Sequence, residues 1–319
     1  MKYNCNHDKG SEETFGFTSD YPDVQSVEFC NNTSDACLFH GPIPSEWGDD
    51  FEFRYPDGHE DISAFKVMHD WVVSTYQVDA TGAELESAYT GVDGHVYTHD
   101  TAEYRLAKFK KEFEEHFDME YALVYYVYTF FALMVDQRAK NLLLTSWDQQ
   151  KWMCYFYDND TIYGINNQGD LVLDYYYEDK DQLGDAYVFN GATSTLWVNF
   201  KAAFWDKIQE KYRELRSDKR LSKAKLEEAY ITNQADKWSI SVYNEDSDYK
   251  YVSMVRSNND ASNLGQVRGN GVDHLHYMLD NRLVYCDSLM YAGNDEDYNY
   301  PDDYVSLRIY TKVDRKSVV

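Results

Sequence analysis

The chain has 319 residues with a formal net charge of −26, 43% hydrophobic and 17% aromatic residues, and thirty tyrosines against five prolines. That is enough apolar material for one large folded domain or two ordinary ones, and the composition is unlike that of a disordered segment. So acidic a surface would repel nucleic acid and anionic membranes, so neither is an expected partner, whereas acidic clusters can draw divalent cations.

The five cysteines, Cys5, Cys30, Cys37, Cys154 and Cys286, are odd in number and lack C-x-x-C spacing. They indicate neither a zinc site nor a closed disulfide framework, and although Cys30 and Cys37 could pair, buried free thiols are the expected state. The amino-terminal "MKYNCNHDKG" contains no apolar core of a signal peptide. The longest apolar run, "YALVYYVYTFFALMV", is about 15 residues, short of the ~20 that span a bilayer. A soluble cytosolic protein or a component of an assembled particle is expected.

In chain order, residues 1–60 are rich in Asn, Asp, Gly and Pro, with short aromatic runs such as "SVEF" and "DFEFRY" that predict strands between turns. "DISAFKVMHDWVVSTY" predicts a helix capped at Asp61, with Ile62, Phe65, Val67, Met68, Trp71 and Val72 near helical spacing. "TAEYRLAKFKKEFEEHF" predicts an amphipathic helix with Leu106, Phe109, Phe113 and Phe117 on one face. Asp118 caps the next segment, and residues 119–135, apolar nearly all round, predict a buried helix.

Next come Asp136 to Asn141, a strand "LLLT", the turn "SWDQQ", a second strand "WMCYFY", and Asp158-Asn159-Asp160. Two short runs joined by a polar turn predict a hairpin. A hairpin brings the residue before its first strand beside the residue after its second, so Asp136, Asn141, Asp158 and Asp160 are expected to converge at its open end. Trp152, Tyr155 and Tyr157 are expected to pack the hairpin on the core. Residues 200–230 predict helix with a break near Ser217 and Asp218, and "NGVDHLHYMLDNRLVYCDSLMY" predicts another amphipathic helix. His274 and His276, two apart on that helix, diverge and read as packing residues rather than ligands. Tyr175 to Tyr177 with "EDKD" suit an exposed edge for protein contact as well as simple packing. "YNEDSDYKY" and "RSNNDASN" read as polar loops and "VSLRIYT" as a final strand.

A buried helix, D-x-x-x-x-N, a hairpin and then a metal-capable Asp follow the order of parts in the carboxyl lobe of protein kinases. There an acid orients or deprotonates an acceptor hydroxyl, while an amide oxygen and a carboxylate hold Mg²⁺ against the transferring phosphoryl group. The His-Arg expected before the acid is replaced by Met134 and Val135, and Asp158-Asn159-Asp160 stands for Asp-Phe-Gly.

The ordered segments "HFDMEYALVYYVYTFFALMVDQRAKN", "KWMCYFYDND", "YG", "ADKWS" and "MLDNRLVYCDSL" resemble the CotH family of kinase-like proteins over roughly residues 100–290. The resemblance implies an α+β, protein-kinase-like fold with an α-rich carboxyl lobe (61–290), the hairpin at its site, a reduced amino lobe in 1–60 and a carboxyl-terminal strand extension in 291–319. It implies Asp136 as catalytic acid or base and Asn141, Asp158 and Asp160 as ligands of Mg²⁺ or Ca²⁺. Arg282 matches the arginine of the family's terminal helix. Arg138 and Lys140 could contact phosphates or offset the neighbouring carboxylates. No G-x-G-x-x-G and no obvious strand-borne lysine precede Asp136, so the amino lobe is either shortened or lies upstream in a longer protein.

"DKGSEETFGF", "QSVEFCNNTSDACLF", "DFEFRYP" and "SLRIYT" are similar to segments of large tailed-bacteriophage structural proteins that embed a CotH-like domain. Together the resemblances imply a structural component of a virion tail, its acidic site either vestigial or metal-binding, found in the particle or in host cytoplasm before assembly, with other protein subunits as partners. The alternative is an active Mg²⁺-dependent kinase that transfers phosphate from ATP to Ser or Thr of a protein.

Overall fold

The computed structural model describes residues 23–76, 88–98, 101–159, 161–164, 175–176, 182–183, 186–187, 190–234 and 271–292. Their elements run β1 (Gln25–Phe29), β2 (Phe51–Tyr55), α1 (Ser63–Ser74), β3 (Ala88–Thr90), β4 (Val96–Thr98), α2 (Ala102–His116), α3 (Met119–Phe131), β5 (Leu143–Ser146), β6 (Trp152–Tyr155), β7 (Gln182–Leu183), β8 (Ala186–Tyr187), α4 (Thr195–Ser217), α5 (Lys223–Tyr230) and α6 (Gly271–Met290). Helices and small antiparallel sheets make an α+β fold. Asp160, Tyr177 with "EDKD", the loops "YNEDSDYKY" and "RSNNDASN", the strand "VSLRIYT" and Cys5 lie outside the described residues. Among the described residues no helix is long and apolar enough to cross a membrane.

The chain forms two compact units. One draws on Met1–Tyr126, Asp136–Asn159 and Phe189–Trp205, the other on Val127–Val135, Asp160–Val188 and Asp206–Val319.

The first unit is organised on an antiparallel sheet of order β2-β1-β5-β6. The expected hairpin is β5 and β6, with Leu143 opposite Tyr155 and Ser146 opposite Trp152. The two early strands join the same sheet, because β1 pairs with both β2 and β5. Every residue of the central strands β1 and β5 is buried, whereas the outer strands β2 and β6 alternate. That is the pattern of strands covered on two faces and on one. Inside the sheet, Ser26 and Thr145 face each other and share a hydroxyl hydrogen bond of 2.8 Å, so neither buried oxygen goes without a partner.

Against this sheet, Phe65 of α1 packs edge-on to Phe29, Phe51 and Trp152, with ring centroids 5.1–5.8 Å apart. Trp152 is fully buried, as expected, while Tyr155 and Tyr157 are half-buried. Asp61 accepts from the Ser63 N–H as α1 begins, and Asp118 accepts from the Tyr121 N–H as α3 begins. On α2 the buried face is Tyr104, Phe109 and Phe113, continued by Phe117; Leu106 is only half-buried. Cys37 and Cys154 are buried free thiols and Cys30 a half-buried one.

In the second unit, α3 ends at Phe131 rather than at residue 135. Leu133 takes a left-handed φ of 50°, and the fully buried Arg282 of α6 donates to the last carbonyls of the helix, those of Phe130 (2.6 Å), which also accepts from the Leu133 N–H at 3.4 Å, and Phe131 (3.1 Å). The α4 helix ends at Ser217, at the expected break. A buried triad joins α4 to α6: Arg216 forms a two-point ion pair with Asp287 (3.0 and 2.9 Å), and Asp287 also accepts from the Tyr212 hydroxyl at 2.7 Å. His274 donates to the Tyr163 carbonyl at 2.9 Å, and His276 contacts Glu227 on α5 at 2.8 Å, so the two rings serve separate packing contacts. Cys286 is a buried free thiol.

Candidate functional site

The D-x-x-x-x-N loop, residues 136–141, connects α3 to β5 and is buried except at Lys140. A buried loop must find partners for its own peptide groups. Here an aromatic stack supplies them. The Tyr125 ring lies nearly parallel to both Phe156 (4.8 Å, 23°) and Trp197 (5.5 Å, 16°). The polar tips of two of these rings hold successive carbonyls: the Tyr125 hydroxyl donates to Gln137 O at 2.5 Å, and the Trp197 indole N–H donates to Arg138 O at 3.0 Å. Burial raises the Tyr125 phenol well above its ordinary pKa, so it remains a donor.

At the far end of the loop, the Asn141 N–H donates to Phe29 O at 2.9 Å while the Phe29 N–H donates to Leu142 O at 2.9 Å, extending the β1–β5 ladder. Asn141 sits at φ 60°, a left-handed conformation that asparagine tolerates better than most residues. Asp158 is left-handed as well, at φ 48°.

Gln137 ties the two mouths of the hairpin together. Its side-chain amide donates to Tyr157 O at 3.2 Å and to Asp158 O at 2.9 Å, joining the residue beside Asp136 to the backbone at Asp158. Its own Oε1 is buried with no hydrogen-bond partner among the described residues. Asp136 is 5% exposed, and its Oδ1 accepts from the side-chain amide of Asn190. Arg54 of β2 adds a further tie: its guanidinium pairs with the buried Glu28 and lies over the Tyr157 ring, 5.6 Å from the centroid.

Of the two cations flanking the acid, Arg138 is 1% exposed and stacks on Tyr126 at 4.4 Å, whereas Lys140 is exposed. A buried guanidinium on an aromatic face contributes packing and cation–π attraction to the loop. Gln137, Asn190, Tyr125 and Trp197 are absent from the set that the motif spacing indicates, yet they are the side chains that hold the loop.

Among the described residues no group of three or more His, Cys, Asp or Glu side chains is arranged to hold a metal ion. The candidate donors are instead two carboxylates, Asp136 and Asp158, with the amide oxygen of Asn141. An all-oxygen set with one or two carboxylates suits Mg²⁺, which retains waters or takes up substrate phosphates in its remaining positions. The unpartnered Gln137 oxygen beside Asp136 is the type of buried atom that an ion or ordered water satisfies.

No protein-family model, no curated protein and no solved structure matches this chain.

Proposed function

We propose that the chain is a CotH-type, kinase-like domain whose hairpin mouth holds a divalent cation, and that it serves as a structural component of a bacteriophage particle, in the tail, rather than as a phosphotransferase. The observation that carries the site is the Gln137 amide joining the Asp136 loop to Asp158. Random acidic turns have no reason to be clasped to one another by a buried side chain. The non-catalytic reading is supported by the burial of Asp136 and by the Asn190 amide on its carboxylate. The particle assignment rests on the likeness of the outer segments to phage structural proteins. Purified virions tested by mass spectrometry and electron microscopy contain this chain on the proposal; virions that lack it contradict the proposal.

A second reading, a Mg²⁺-dependent kinase acting on Ser or Thr of a protein, is favoured by the same clasp, since it joins the two halves of a kinase-type motif. Asp136 would orient the acceptor hydroxyl, Asn141, Asp158 and Asp160 would hold the ion, and Lys140 would face the phosphates. Bound Mg²⁺ would supply neutralisation of the transferring phosphoryl charge. Incubation with labelled ATP and Mg²⁺ decides it. Transfer that disappears in Asp158→Ala supports a kinase, and no transfer from wild type, or equal transfer from Asp158→Ala, contradicts one.

A further inference from the structure

We infer that Asn190 is a positioning residue of the cation site: it fixes the Asp136 carboxylate from outside the motif, on a turn built to hold it there. The inference rests on the divalent-cation reading above and extends it to a residue about fifty positions downstream of the D-x-x-x-x-N loop.

Three contacts set the turn against the loop. Asn190 donates its side-chain amide to Asp136 Oδ1. Gly191, at φ +83°, passes so close to the loop that a Cβ there would stand 2.6 Å from Ala139 Cβ and 2.8 Å from Arg138 O. Glycine alone permits both that conformation and that approach. Six residues beyond Gly191, the Trp197 indole holds Arg138 O at 3.0 Å. At its other side the turn is anchored at the start of α4, where the Thr195 N–H donates to Leu38 O at 3.0 Å and its hydroxyl to Phe39 O at 3.1 Å.

The consequence is chemical as well as steric. A carboxylate that binds a hard cation needs one orientation, and a donor on one of its oxygens sets the plane of the group and directs the remaining lone pairs. Aspartate side chains left to rotate would lose entropy on each binding event. The amide of Asn190 is a neutral donor, so it orients Asp136 without competing for the ion as a lysine or arginine would. The Gln137 residue that follows Asp136 keeps a buried side-chain oxygen with no hydrogen-bond partner among the described residues, the type of atom that an ion or ordered water satisfies.

Partners of metal-ligating carboxylates typically contribute 10- to 100-fold to affinity. Mn²⁺ serves as the probe, its binding followed by electron paramagnetic resonance on the full chain. Asn190→Ala is expected to weaken Mn²⁺ binding by about 10-fold or more, and Asn190→Ser, which retains a shorter donor, to fall between it and wild type. Asn199→Ala on α4 is the matched control. It removes a comparable amide, one that donates to Thr75 Oγ1 at 3.1 Å, so it should lower thermal stability while leaving Mn²⁺ affinity unchanged. Wild-type affinity in both Asn190 variants overturns the positioning role while leaving the cation site standing. Absence of Mn²⁺ binding by the wild-type chain overturns the cation reading, and the role of Asn190 with it.

Discussion

The side-chain amide of Gln137 donates to the backbone carbonyl of Asp158 at 2.9 Å, so a residue before the hairpin holds one after it. Because the amide group supplies both the Tyr157 and Asp158 contacts, its donor character can be tested apart from its shape. Gln137→Leu leaves two carbonyls without this partner and should cost about 1–3 kcal/mol. Gln137→Glu is nearly isosteric, yet at neutral pH it places a buried carboxylate against two acceptors and should cost more than the leucine. Urea unfolding ranks the three proteins; a Gln137→Glu chain as stable as wild type at pH 7 would show that the clasp does not operate.

Asp287 in the second unit is held by Arg216 and Tyr212, all three being fully buried or nearly so. Asp287→Ala strands the Arg216 guanidinium inside the protein, and breaking a buried pair from one side typically costs 3–5 kcal/mol. Asp287→Asn keeps an acceptor and should lose less. Chemical denaturation reads both, and a loss below about 1 kcal/mol in the alanine variant would mean that the pair behaves like an exposed one.

His69 provides a pH signature. Its ring is fully buried between Phe39 and Phe51, and its Nε2 donates to Ala36 O at 2.8 Å. Burial lowers its pKa from 6.5 to about 4. The unfolded chain therefore takes up a proton near pH 6.5 that the folded chain accepts only near pH 4. This contribution to stability is fully present above about pH 6.5 and falls as the pH drops toward 4, by roughly 3 kcal/mol at most. Carboxylates titrate in the same range, so the informative quantity is the difference from His69→Phe. The variant's stability should decline less steeply between pH 6.5 and 4, and parallel profiles would contradict a buried neutral imidazole.

The hairpin, the helices and the Asp118 cap were legible in the sequence because each is written in nearby residues, whereas α1 takes Ile62 rather than Asp61 as its N-cap. The two short apolar runs either side of the polar turn became β5 and β6, and Asp118 stands where its carboxylate accepts the Tyr121 N–H in the first turn of α3. The end of α3 was hidden, since the apolar run continues past Phe131 and the arginine that satisfies its last carbonyls lies on α6. The site was legible in part. Spacing singled out Asp136, Asn141 and Asp158, but a tyrosine in an all-apolar helix gives no hint of where its hydroxyl goes. Tyr125, Trp197 and Asn190 reach the loop only through the tertiary fold, and Gln137 is an ordinary polar loop residue until its amide is seen on Asp158.

Thermal unfolding of the full chain across a Mg²⁺ titration decides whether a divalent cation binds at the mouth of the hairpin. Mg²⁺ that binds only the folded chain should raise the melting temperature, with a gain of about 2.7 kcal/mol when free ion reaches about 100 times its Kd. In the double variant Asp136→Asn with Asp158→Asn, the amide at position 136 still offers Asn190 an acceptor, so the ion-free melting temperature should be kept while the Mg²⁺-dependent rise disappears. A wild-type chain indifferent to Mg²⁺, or a double variant that responds as strongly as wild type, would contradict a cation held by Asp136 and Asp158.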